Sequence, residues 1–179
     1  DGFMDCSDAI LSRRPELSER QRILKTSDVG AFAVISIVMM FLIFTASMIT
    51  LAGGFSIWKG CFFIGVTMTS RSLAADAVLW KPVMKTSQYA SFENRKEKGT
   101  ADFIVLWSAT IVPVLAVFFL LIGIGLAESY ENVAYVYSYI GAVIVTAIAA
   151  HITGFRDRRN LGGMSGDIAG HMIVTSETA

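Results

Sequence analysis

The stretch VGAFAVISIVMMFLIFTASMITLAGGFSIW, residues 29–58, contains no Asp, Glu, Lys or Arg, and its length decides the fold. A helix crosses a hydrocarbon core about 30 Å thick with roughly 20 apolar residues, and this run exceeds that. Two further charge-free runs, between Asp102 and Glu128 and between Glu131 and Arg156, meet the same test. A fourth, Gly60 to Trp80, is bracketed by Lys59 and Lys81 and carries Arg71 and Asp76 inside it. The reading is therefore all-α: a polytopic membrane helix bundle with spans at about Gly30–Gly53, Gly60–Trp80, Phe103–Ala127 and Asn132–Phe155. Composition agrees, since 54% hydrophobic residues in a chain of 179 lies outside the usual range for a soluble domain.

Net charge is zero, so the placement of cations carries the information. Arg13, Arg14, Arg20, Arg22 and Lys25 precede the first span, Lys81, Lys85, Arg95, Lys96 and Lys98 lie between spans two and three, and Arg156, Arg158 and Arg159 end the fourth. By the positive-inside rule these segments are cytoplasmic, and both termini of the chain with them. The basic flanks are read as a topology signal, with no nucleic-acid partner and the lipid bilayer as surroundings. Cys6 and Cys61 then fall near opposite faces and cannot bridge. The chain starts on Asp with no visible signal peptide, which points to an internal piece of a longer membrane protein or a processed start.

One membrane domain is expected in three parts: residues 1–29 with an acidic motif and an amphipathic helix, the four-span bundle over 30–155, and a Gly-rich cytoplasmic tail over 156–179. In the first part, Leu17, Gln21 and Leu24 share a face of a short surface helix. Thr26, Ser27 and Asp28 supply capping chemistry before the first span, and Gly30 lets the backbone turn closely.

Three places carry chemistry. In DGFMDCSDA, Asp1, Asp5 and Asp8 recur at i, i+4 and i+7 on one helical stripe, where like charges repel unless a cation joins them. A hard divalent ion suits them, and Mg²⁺ on carboxylates is the usual partner of a diphosphate. A solvated acidic helix start is the plain alternative. In span two, Arg71 sits about ten residues from either end, where exposure to lipid costs at least about 2.5 to 3.5 kcal/mol. Asp76, five residues on and rotated roughly 140° around the helix, pairs with it poorly, so an outside anion such as a phosphate is the expected partner. Late in the chain, NLGGMSGDIAGH places Gly162, Gly163, Gly166 and Gly170 around Ser165 and Asp167, a loop whose amides can approach an anion.

Taken in order, these patches resemble the adenosylcobinamide-GDP ribazoletransferase (cobalamin 5′-phosphate synthase) family. Asp1, Gly2, Asp5 and Asp8 match its D-G-x-x-D-x-x-D opening; Lys25, Ser27 and Gly30 match part of K-D-S-x-x-G. Ser70 and Arg71 match an intramembrane Ser-Arg pair, and Gly162, Gly163, Ser165, Gly166, Asp167 and Gly170 match G-G-x-T-G-D-x-x-G. Ala9, Thr26 and Ser165 depart from the family's usual glycine, aspartate and threonine, and the family's upstream helices and final helix are not in this chain.

The resemblance implies a Mg²⁺-dependent phosphotransferase of the cell (inner) membrane, multi-pass, with its active face cytoplasmic. Adenosylcobinamide-GDP and α-ribazole would be its substrates and GMP the leaving product. On that reading Asp1, Asp5 and Asp8 hold Mg²⁺, Arg71 offsets developing phosphoryl charge, and Lys25, Ser27, Ser70 and the Gly162–Asp167 loop bind substrate. A CDP-alcohol phosphotransferase would use similar metal logic, although Asp5 and Cys6 break its D-G-x-x-A-R opening. A small transporter would account for Arg71 and Asp76 within a span, with no reason for the acidic and Gly-rich patches to coexist.

Overall fold

The computed structural model describes residues 1–26, 28–53, 57–85, 87, 99–128 and 133–179, which form seven helices. Two short ones, α1 (Gly2–Leu11) and α2 (Leu17–Lys25), precede four long ones: α3 (Ala31–Leu51), α4 (Ile57–Trp80), α5 (Thr100–Glu128) and α6 (Val133–Leu161). A last helix, α7 (Gly166–Thr178), follows. The four long helices coincide with the expected spans and are long and apolar enough to cross a membrane. They leave Ile35, Phe41 and Leu42 of α3, Phe119 of α5 and Ile152 of α6 exposed. In water each such side chain would forgo roughly 1.5 to 3 kcal/mol of burial, whereas a bilayer provides the apolar surroundings directly.

Aromatic contacts show how the spans alternate. Trp58 stacks on Tyr135 at 5.1 Å, joining the starts of α4 and α6, and Trp80 meets Phe103 edge-on at 6.1 Å, joining the end of α4 to the start of α5. Gln21 of α2 donates to the Leu161 carbonyl at the end of α6 (2.8 Å), and Gly30, capping α3, abuts Asp8 of α1. The start of α3, the ends of α4 and α6 and the helices α1 and α2 therefore gather at one end of the bundle, the basic end. The larger buried cluster lies there, with Cys6, Leu24, Ala77, Met84, Leu161 and Ile168 among its members. Cys61 belongs to a separate cluster with Trp58 and Tyr139, and both thiols are free.

Residues 156–179, expected as a tail, instead complete α6 and form α7, which folds back antiparallel along it. Thr175 faces Thr153 (Oγ1–Oγ1 3.2 Å) just as His171 faces Asp157. The physical reason is a short helical stripe, Ile168, Met172 and Ser176 at i, i+4 and i+8, all buried. Ser165 starts the helix as its N-cap, its Oγ accepting from the Ile168 amide at 3.3 Å.

The turn between α6 and α7 uses glycine twice. Gly162 (φ 84°) and Gly163 (φ 149°) adopt left-handed conformations and both donate their amides to the Arg158 carbonyl, at 2.9 and 3.2 Å, closing the end of α6. Met164 then exchanges main-chain hydrogen bonds with the segment after α4: its amide donates to Pro82 (2.8 Å) and its carbonyl accepts from Met84 (2.9 Å). A Cβ at Gly163 would lie 2.6 Å from the Met84 nitrogen, so only glycine permits this clip. Through it the end of α4 holds the start of α7.

Candidate active site

The N-termini of α1 and α7 cross almost in main-chain contact. A Cβ on Gly2 would stand 2.6 Å from the Asp167 Cα and 2.7 Å from its carbonyl oxygen, and Gly170 lies against the Gly2 Cα one turn further on. Met4 and Asp5 donate their amides to Asp1, and Ile168 and Ala169 donate theirs to Ser165. The amides of Gly166 and Asp167 are thus the ones at the start of α7 left without an intrahelical acceptor. The positive dipole end of α7 and its free amides meet α1 at Gly2, an arrangement that attracts anions.

Carboxylates surround the same point. Burial raises the pKa of Asp5 above the ordinary carboxylate value, and the charges of Asp167 and Asp8 raise it further. The late-motif acid thus shares the electrostatic surroundings of Asp5 with Asp8. Asp8 occupies the space above Gly30, where a Cβ would fall 2.0 to 2.3 Å from its carboxylate atoms. Gly30 has an ordinary backbone (φ −81°, ψ 166°), so what calls for glycine there is the room taken by Asp8.

The donor chemistry of this set, all carboxylate oxygens in mutual repulsion, fits a hard divalent cation. Among the described residues, however, no group of three His, Cys, Asp or Glu side chains is already closed around an ion position. Ligation would therefore draw the carboxylates together.

The remaining expected residues divide. Ser165 spends its hydroxyl on capping α7, and the Gly162 and Gly163 amides are committed to Arg158, so the amides available near the junction are those of Gly166 and Asp167. Lys25 ends α2, exposed, and Ser27 lies outside the described residues. Ser70 and Arg71 are elsewhere: Ser70 Oγ donates to Glu177 Oε1 at 2.7 Å, and Arg71 Nη1 pairs with the same oxygen. Arg71 thus has a carboxylate of this chain as a partner. Glu177 follows Asp167 by ten residues, about 15 Å along α7 at 1.5 Å per residue, which separates Arg71 from the junction.

Three charged or titratable groups near α7 escape a reading of the sequence: Glu177, Asp157 and His171. The intramembrane arginine was itself a signal for Glu177, since such a charge requires a partner. No spacing rule links Asp157 to His171, which come together only because α7 folds back. Cys6 is buried beside this pair, and burial, then Asp157, Asp167 and Asp5, push its thiol pKa well up, so it is packing rather than a nucleophile.

Fold and site together define a polytopic α-helical membrane protein with an acidic, helix-N-terminal site at the basic end of its bundle. Comparison with known sequences makes this particular: the chain belongs to the cobalamin-5-phosphate synthase family, whose model matches residues 1–179. It is 33% identical over 177 residues to an adenosylcobinamide-GDP ribazoletransferase of Clostridium perfringens strain 13, covering 99% of this chain and 63% of that protein. It is 34% identical over 182 residues to the protein of that name from Clostridium botulinum strain Eklund 17B (99% and 63%). With the one from Geobacillus kaustophilus the identity is 31% over 182 residues (99% and 62%). The chain thus spans a little under two thirds of the length of these relatives. No solved structure matches it.

Proposed function

We propose that this chain carries the phosphoryl-transfer site of an adenosylcobinamide-GDP ribazoletransferase. A ribose hydroxyl of α-ribazole, free or 5′-phosphorylated, attacks the cobinamide-linked phosphorus of adenosylcobinamide-GDP, and GMP leaves. The observation that supports this most is the crossing of α1 by the start of α7, Gly2 against Asp167, at a cluster of carboxylates. The names of the relatives favour the cobinamide substrate over a CDP-alcohol.

Phosphoryl transfer asks a protein mainly for positioning and charge neutralisation. The free amides of Gly166 and Asp167 bind diphosphate oxygens. Asp1, Asp5 and Asp8, with Asp167 beside them, would hold Mg²⁺, which when bound supplies positive charge to the diphosphate. Gly30 leaves Asp8 room to take up that position, and the clip of Gly163 on Met84 holds α7 at its angle to α1. Arg71, paired with Glu177, keeps α7 against α4 and takes no part at the phosphorus. The site faces the cytoplasm, consistent with the arginines and lysines gathered at its end of the bundle.

The test is release of GMP from adenosylcobinamide-GDP and α-ribazole by the intact protein in liposomes, with and without Mg²⁺. Substrate-dependent GMP release that is lost in Asp5→Asn supports the proposal. Turnover of a CDP-alcohol instead would overturn it.

A further inference from the structure

Asp157, near the end of α6, is completely buried, and its Oδ2 lies 2.5 Å from Nδ1 of His171 on α7. Its other oxygen, Oδ1, has no hydrogen-bond partner. A carboxylate withdrawn from water with one side-chain partner is costly to keep, and replacing such pairs with apolar residues is often neutral or stabilising. Packing therefore gives little reason for it. From the third side, the ring of Phe3 rests on the His171 ring, centroids 5.1 Å apart and planes inclined by 44°. The imidazole is thus fixed by α6, α7 and α1 at once.

With a carboxylate as its neighbour, Nδ1 carries the hydrogen and donates, which leaves Nε2 as a lone-pair acceptor. The His171 ring makes no other hydrogen bond among the described residues, and Nε2 is not among the buried side-chain atoms lacking a partner, so it reaches solvent. His171 follows Asp167 by one turn on the same face of α7. Phe3 adjoins Gly2, which crosses Asp167. The imidazole consequently lines the same α1–α7 junction as the free amides and carboxylates.

We propose that His171 accepts the proton of the attacking hydroxyl, with Asp157 as the positioning residue that holds its ring and tautomer; this rests on the transferase reading above. The hydroxyl O–H bond breaks and its proton passes to Nε2. The oxygen bonds to the cobinamide-linked phosphorus, and the bond from that phosphorus to the bridging oxygen breaks. The electron pair leaves with GMP, and the imidazolium then releases its proton to water.

The charged and titratable groups near His171 are Asp157 from α6, Asp167 on its own helix and Asp5 from α1, with Asp76 of α4, Lys81 just after it, and His151 and Arg158 of α6 around the adjoining Met172. Further along α7, α4 contributes Arg71, paired with Glu177, and α3 carries no charged residue between Ala31 and Leu51.

The experiment measures kcat and KM for GMP release by the intact protein in liposomes between about pH 5.5 and 9, with thermal unfolding as a check on folding. The wild type should show an acid limb. His171→Gln should lose about 10² to 10⁴ in kcat with KM for adenosylcobinamide-GDP nearly unchanged, and should lose the limb. Asp157→Asn should lose about tenfold or more in kcat and keep the limb. A folded His171→Gln protein within about threefold of wild-type kcat, limb intact, overturns the assignment. If His171→Gln fails to fold, Asp157→Asn decides: wild-type kcat overturns, lowered kcat at constant KM upholds. An inactive wild type refutes the transferase reading and this inference with it, whereas an active wild type with indifferent variants sinks the inference alone.

Discussion

Gly30→Ala separates the need of the fold from the need of the site. The backbone at Gly30 is one that alanine adopts without strain, and what a Cβ would meet is the Asp8 carboxylate, 2.0 to 2.3 Å away. To regain ordinary contact the carboxylate must retreat by about 1 Å or more, which rotation of one short side chain can supply. Stability should therefore change by less than about 1 kcal/mol, as for a substitution with no core consequence. Activity should not be spared, because misplacing a site group by about 1 Å can cost on the order of 10²-fold. The assay is GMP release at several Mg²⁺ concentrations beside thermal unfolding in the same liposomes. The expected result is a near-wild-type unfolding temperature, a raised Mg²⁺ requirement and a large drop in rate. Wild-type rate and Mg²⁺ dependence would refute the role given to Asp8. A large loss of stability would refute the claim that only a side chain must move.

Three further outcomes follow from the same geometry. Asp5 has a raised pKa in the folded protein, so the stability tied to its protonated form is present below the unfolded value and lost as pH rises through the folded one. Chelator-treated wild type should therefore gain stability on acidification through that window, while Asp5→Asn stays flat and gains nothing from Mg²⁺; melting curves at several pH values check both. Glu177→Gln leaves the Arg71 guanidinium without its partner. Breaking a buried pair costs about 3 to 5 kcal/mol, and because the Arg71 side chain is 57% exposed the expected loss is about 1 to 3 kcal/mol, restored in part by adding Arg71→Gln. Gly163→Ala imposes left-handed strain and pushes a Cβ against the Met84 backbone, threatening the two Met164 hydrogen bonds. A loss of about 2 to 4 kcal/mol is expected. Gly141→Ala, where a Cβ meets nothing, is the control and should be neutral or stabilising.

Much of this was legible in the residues alone. Hydrophobic runs longer than a bilayer determine α3 to α6 whatever they pack against, because the solvent selects them one segment at a time. Asp1, Asp5 and Asp8 announce one face by helical periodicity, and Arg71 announces the need for an anion by the cost of a charge in lipid. Counting four spans puts the first and last motifs on one side of the membrane, and the contact of Gly2 with Asp167 is where the structure brings those ends together.

Tertiary structure alone decided which partner answers each need. Arg71 found Glu177, the Gly162 and Gly163 amides went to close α6, and Asp157 met His171, all because α7 turns back on the bundle. Such pairings join positions that no local period relates, and a thirteen-residue helix after a glycine turn is too short for its buried stripe to stand out from a tail. Local sequence specifies what each segment must bury or neutralise; only the packed chain specifies with what.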